Sequence, residues 1–107
     1  MKNKSKDLAI ILAAGKGSRL NTDLAKPLFK FNSIPIIDHL INAISSLSNT
    51  DILTVVGYKK DSVINHIKDK SFHVIQSQQK GTADAVLKCA DYIKKYNNIF
   101  IFVGDTP

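Results

Sequence analysis

Four short runs, residues 8–13, 52–56, 72–75 and 99–103, are apolar at nearly every position and rich in β-branched side chains. A strand covered on one face alternates apolar and polar residues, so runs of this kind need cover on both faces. Segments with helical periodicity separate them. That alternation points to an α/β fold: an open, mainly parallel sheet with helices on both faces. Right-handed crossovers then gather the C-terminal ends of the strands on one edge. Residues 13–17, Gly57, residues 76–82 and Asp105 are expected to converge there, at the edge where open α/β sheets bind ligands.

Between the strands, residues 28–31 suggest a short extended segment before a turn at Asn32 and Ser33. Pro35 fits a first helical turn. Ile36, Ile37, Leu40, Ile41, Ile44 and Leu47 recur at three- and four-residue spacings, which predicts a helix with a wide apolar face. Ser45, Ser46, Ser48 and Asn49 mark its end. Val63, Ile64 and Ile67 predict a second, short helix with Asp61 or Ser62 near its start. Gly81 and Thr82 lead into a third, whose inward face is expected to hold Ala83, Val86, Ala90 and Ile93. No internal repeat or low-complexity block interrupts the pattern.

At 107 residues the chain holds one domain with a real core, and too few residues for a complete two-domain enzyme. The net charge of +6 favours anionic partners. Aromatic residues make up only 7% and do not interleave with basic ones, which argues against single-stranded nucleic acid. Cys89 is the only cysteine, so no intramolecular disulfide forms and a reducing compartment fits. Its place in an apolar helical pattern suits a small buried side chain. The apolar run at residues 8–14 is too short to cross a bilayer, and no cleavage site follows it. A cytoplasmic protein without a membrane partner is expected.

The first strand runs into AAGKGSRL, with Gly15 and Gly17 two apart. The third glycine of a dinucleotide fingerprint is missing, and there is no GxxxxGK[ST] phosphate loop. The two glycines still let backbone approach a phosphate, with Lys16 and Arg19 as cationic donors. The plainer reading is a glycine-rich turn with solvated cations. Asp105, after the last strand, suits Mg2+, which is commonly held by one or two carboxylates plus substrate phosphates. A turn or helix cap would also place an aspartate there. Asp23, Asp38 and Asp84 are weaker metal candidates. Asp38 lies within the first helix and Asp84 near the start of the third, where it complements the dipole. Lys26, before Pro27, would be held near the mouth of the first strand, or simply be solvated. Gln76 offers both a donor and an acceptor to a base edge, or caps backbone. His39, His66 and His73 lack metal-ligand spacing and no nucleophilic triad forms around them.

Taken in order, LAAGKGSRLNTDLAKPL, QSQQKGTADAV and FVGDTP resemble the sugar-phosphate nucleotidyltransferases, also called sugar-nucleotide pyrophosphorylases. The likeness is nearest to the N-terminal uridyltransferase part of the bacterial bifunctional UDP-N-acetylglucosamine enzymes. It implies a Rossmann-like fold of the nucleotide-diphospho-sugar transferase type. It also implies that Leu12, Ala13, Ala14 and Gly15 frame the nucleotide, that Gly17 and Arg19 handle triphosphate, and that Lys26 sits beside the reacting phosphates. Gln76 would read the uracil edge, Gly81 and Thr82 would complete the pocket, and Asp105 would ligate Mg2+. The implied reaction joins UTP and N-acetylglucosamine 1-phosphate to give UDP-N-acetylglucosamine and pyrophosphate.

Ala25 stands where the family usually has proline, and Pro27 follows Lys26 instead, an order found in related sugar nucleotidyltransferases. Other sugar-phosphate uridylyl- or cytidylyltransferases therefore stay open, as does an inactive nucleotide-binding or assembly module. The family adds further strands, a sugar-binding region and a second metal position. Residues 1–107 are accordingly expected to be the N-terminal nucleotide-binding portion of such a domain. An uncovered sheet edge or apolar face would encourage self-association, a complementary domain would supply the missing part, and the chain alone is expected to turn over sugar phosphate poorly.

Overall fold

A computed structural model describes residues 6–15, 25–78 and 80–104. Strands β1 (Asp7–Ala13), β4 (Thr50–Val56), β5 (Phe72–Ile75) and β6 (Asn98–Val103) form one sheet. Between β1 and β4 lie a 3-10 turn at Lys26–Leu28, the two-residue strands β2 (Lys30–Phe31) and β3 (Ile34–Pro35), and helix α1 (Ile36–Ser45). Helix α2 (Lys60–Ile67) joins β4 to β5, and helices α3 (Thr82–Leu87) and α4 (Ala90–Ile93) join β5 to β6. All pairings in the main sheet are parallel and the order is β5-β4-β1-β6. The expected fold class is what the chain adopts.

The pattern of side chains on β1 explains the continuous apolar run. Ala9, Ile11 and Ala13 pack with Ile37, Ile41 and Ile44 of α1 and with Val63 and Ile67 of α2. Leu8 and Ile10 face the other way, toward Leu53, Val55, Ala85 and Cys89. Leu8, Ile10 and Ile11 are fully buried, each contributing roughly 1.5–3 kcal/mol. Thr54 is a buried polar residue of β4; its hydroxyl shares a 2.8 Å hydrogen bond with Ser71 Oγ just before β5. The outer strand β6 leaves Phe100, Ile101 and Val103 exposed.

The structure corrects the reading of several short segments. Leu28 belongs to the 3-10 turn, so the strand itself is only Lys30 and Phe31. They pair antiparallel with Pro35 and Ile34 across a turn in which Asn32 and Ser33 both have positive φ, 53° and 69°. That twist suits a two-residue hairpin. Pro35 sits in β3 immediately before α1, with ψ 142°, not in the first helical turn. Leu47 lies past the end of α1 and is exposed.

The third helix is two helices, broken at Lys88 and Cys89. Its core face carries Ala85 and Cys89 with Tyr92, Ile93 and Tyr96 packed alongside, while Ala83 and Ala90 are exposed. Turning the thiol and the tyrosine rings inward buries more apolar area than turning alanines inward.

Cys89 is the small buried residue expected, and burial pushes its thiol from 9.0 up to about 11. Burial and the hydrogen bond that Tyr96 donates to Asp51 Oδ2 (2.6 Å) push that phenol from 10.0 up to about 12. The unfolded chain releases both protons earlier than the folded one, so it binds fewer protons at alkaline pH. Stability from these groups is complete below pH 9.0 and is lost as pH rises toward about 12. Urea midpoints measured across this range should fall, and fall less steeply for Tyr96→Phe. Parallel curves for the two proteins would refute the Tyr96 contribution.

Candidate functional site

The strand order fixes where a ligand can enter. From β1 the chain steps outward to β4 and β5 on one side, then returns to place β6 on the other side of β1. The connections leaving β1 therefore diverge, opening a crevice at its C-terminal end.

Short backbone bonds draw the strand ends together at this crevice. Tyr58 N–H donates to Ala14 O (3.1 Å), Gln76 N–H to Val56 O (2.8 Å) and Gly104 N–H to Leu12 O (2.8 Å). Gly57 makes the approach possible. A Cβ there would lie 2.8 Å from Gln76 O and 2.9 Å from Ala14 Cβ. Gly81 has φ +94°, a conformation that favours glycine, and its carbonyl starts α3 by accepting Ala85 N–H at 3.1 Å.

The result is a cleft of about 370 Å³ with Leu12, Val55 and Val103 among its apolar lining. Ala14, Gly15, Gln76, Gly81, Thr82 and Ala85 complete the lining. The volume and the mixture of apolar side chains with few polar groups suit a small organic ligand. Gln76 is only 4% exposed, an unusual setting for a primary amide. Its Nε2 donates to Asp84 Oδ2 (2.9 Å) and to Gly81 O (3.3 Å).

Of the residues singled out in the sequence, the cleft collects Leu12, Ala14, Gly15, Gln76, Gly81 and Thr82. Ala13 does not join them, because strand alternation turns its side chain into the cluster beneath α1 and α2. Lys26 opens the 3-10 turn, half-buried between buried Ala25 and Pro27, and is not part of the cleft lining. Lys16, Gly17, Arg19, Asp23 and Asp105 lie outside the described residues.

Asp38 has a structural partner, as its helical position suggested. His66 Nε2 bonds its Oδ1 at 2.8 Å and Lys70 Nζ lies 3.9 Å away, tying α1 to the α2 region. His39 Nε2 donates to Phe31 O at 2.7 Å. Among the described residues, no three His, Cys, Asp or Glu side chains gather as a metal site. No helix described there is long and apolar enough to cross a membrane.

Asp84 is the residue that sequence reasoning undervalued. Helix-start chemistry accounted for it, yet its carboxylate is the anchor of the Gln76 amide. The spacing of eight residues carries no local signal; the turn at Gly81, where α3 begins, brings the two side chains together.

Residues 9–107 match the MobA-like NTP transferase domain family. This chain belongs to that family. The resemblance to sugar-phosphate nucleotidyltransferases is thereby borne out, and the relatives extend it. The bifunctional protein GlmU of Latilactobacillus sakei is 38% identical over 100 residues, covering 92% of this chain and 22% of that protein. The GlmU of Listeria monocytogenes is 38% identical over 104 residues, covering 96% of this chain and 23% of its own length. The NTP transferase domain described here thus spans under a quarter of the curated relatives it matches. Among solved structures, the CTP:phosphocholine cytidylyltransferase LicC of Streptococcus pneumoniae superposes with a TM-score of 0.75 at 25% identity. That match covers 94% of this chain and 45% of LicC. HddC from Yersinia pseudotuberculosis, solved with GMP-PN, shares the fold at 24% identity and a TM-score of 0.74, over 92% of this chain and 47% of HddC.

Proposed function

We propose that this chain is the N-terminal nucleotide-binding portion of a sugar-phosphate nucleotidyltransferase, with UTP and N-acetylglucosamine 1-phosphate as substrates. The observation that carries the reading is that Gln76, a buried amide, lines the same cleft at the end of β1 as Ala14 and Gly15. An amide at that depth reads the polar edge of a base, while the glycine leaves room for the ribose and the first phosphate beside bare backbone. The resemblance of the motifs to the bacterial uridyltransferase family, with the likeness to GlmU beside it, supports uridine and an acetylated amino-sugar phosphate as the partners.

In this reaction an oxygen of the sugar phosphate attacks the α-phosphorus in line with the departing pyrophosphate. Both reactants are anions, so the protein's work is alignment and charge compensation; no protein nucleophile takes part. Gly17 and Arg19 hold the triphosphate, and Lys26 stands by the reacting phosphates. Gly81 and Thr82 close the far side of the base.

For Mg2+ the donor chemistry fits. Asp105 is next in sequence to Gly104, whose N–H bonds Leu12 O, and a carboxylate is the hard oxygen donor that Mg2+ prefers. A site of one carboxylate plus substrate phosphates needs no cluster of three protein ligands. When bound, Mg2+ would offset phosphate charge.

Titration of the purified chain with UTP, with and without Mg2+, tests the reading. Saturable UTP binding is expected. Gln76→Leu, which keeps the bulk but removes the amide, should weaken it roughly tenfold, about the worth of one buried hydrogen bond. Equal affinity in parent and variant would remove Gln76 from the base-reading role.

A further inference from the structure

We infer that Asp84 is a positioning residue that fixes which end of the Gln76 amide the cleft presents, and so which bases it accepts. The inference rests on the nucleotide-binding reading above, and concerns what Gln76 is able to say to a base.

A free glutamine amide is ambiguous, since rotation about its last bond exchanges an acceptor for a donor. Here the ambiguity is removed. The two groups nearest one end of the amide, the Asp84 carboxylate and the Gly81 carbonyl, are both acceptors. Only nitrogen can face them; the flipped amide would set three oxygens against one another in a site where Gln76 is 4% exposed. Both Nε2 hydrogens are consumed, one on each oxygen. No side-chain polar atom among the described residues is both buried and unpartnered, so Oε1, which no described residue bonds, keeps contact with solvent, and Gln76 is one of the residues that line the cleft.

The cleft therefore offers the base an acceptor and withholds a donor. Uracil answers with its ring N3–H. Cytosine has an acceptor at the same ring position and would be met by a second lone pair. Asp84 touches neither base nor phosphate in this scheme; it acts by holding Gln76. The charged partner makes the hold stronger than a neutral one would, because hydrogen bonds to a carboxylate exceed neutral ones. Removing it leaves the Gly81 carbonyl alone at 3.3 Å, too weak a contact to stop the amide from turning to suit either base.

Two measurements on the full chain test this. The first needs no ligand: in 15N-labelled protein the Gln76 side-chain NH2 should give dispersed, slowly exchanging proton resonances. In Asp84→Ala they should collapse toward free-amide positions, and in Asp84→Asn, whose Oδ1 still accepts, they should stay dispersed. The second is affinity for UTP, CTP and N3-methyl-UTP. The parent should prefer UTP over each by roughly tenfold, the worth of one matched against one mismatched hydrogen bond. Asp84→Ala should reduce the UTP-to-CTP preference to about twofold, and Asp84→Asn should restore it. A general loss of structure would weaken both triphosphates together and leave their ratio unchanged. An unchanged ratio in Asp84→Ala, or unmoved Gln76 resonances, overturns the positioning role while leaving nucleotide binding intact. Failure of the parent to bind any of the three overturns the nucleotide reading itself, with the resonances still deciding whether Asp84 holds the amide.

Discussion

Gly57→Ala is expected to lower the unfolding free energy by about 3 kcal/mol, at the upper end of what overpacking a tight site costs. The new Cβ would sit 2.8 Å from Gln76 O and 3.1 Å from Ala14 O, and 2.9 Å from Ala14 Cβ. Two of these neighbours are backbone oxygens, which cannot swing aside as a side-chain tip would. Relief has to come from moving the end of β1 away from the segment after β5. That motion stretches the bonds from Tyr58 N–H to Ala14 O and from Gln76 N–H to Val56 O. The same motion separates the two walls of the cleft, so nucleotide affinity should fall along with stability.

Gly15→Ala is the control, since a Cβ there meets nothing within 4 Å. It should change stability by less than about 0.5 kcal/mol, as surface substitutions usually do. It should nevertheless weaken UTP binding by occupying the space the nucleotide needs. Urea unfolding of both variants separates the cases. A Gly57→Ala protein as stable as its parent would mean that this turn yields easily and does not set the width of the cleft.

The contrast between these glycines shows what the sequence could reveal. Both follow an apolar strand, and both read as the end of a strand opening into a loop. Long-range packing crowds one and leaves open space beside the other, and that difference depends on residues far away in the chain. Strand identity was legible for the opposite reason. The continuous apolar run in β1 and in β4 is a local signal, strong because both faces of each strand are buried. The α3–α4 segment misled because alanine fits either face of a helix, and Ala83 and Ala90 carry too little apolar area to fix its rotation. Gln76, Gly81 and Thr82 were recognisable as a group from their motif. Asp84 was not, since its role depends on where the turn at Gly81 sends the chain.

In the complete transferase of which this chain would form the nucleotide-binding portion, Lys26→Ala is expected to cost roughly 3 kcal/mol of transition-state stabilisation, a ~100-fold loss in kcat/KM, comparable to removing one preorganised charge-stabilising donor. The backbone around Lys26 is suited to such a part. Pro27 fixes φ, Leu28 N–H bonds Ala25 O at 2.9 Å, and Phe29 N–H bonds Lys26 O at 3.0 Å. Ala25 and Pro27 are buried on either side, so the backbone that carries Lys26 is held in place. Ala25 packs in the cluster beneath α1, whereas the base cleft opens on the side of α3. A nucleotide with its base beside Gln76 must therefore run its phosphates across the end of β1 before Lys26 can act on them. This geometry makes the effect selective: Lys26→Ala should weaken UTP while sparing UMP, and Gln76→Leu should weaken both. Pyrophosphate release measures the rate, and paired UTP and UMP titrations locate the loss. Equal weakening of UMP and UTP in Lys26→Ala would place the lysine near the base or in the fold and remove it from the reacting phosphates.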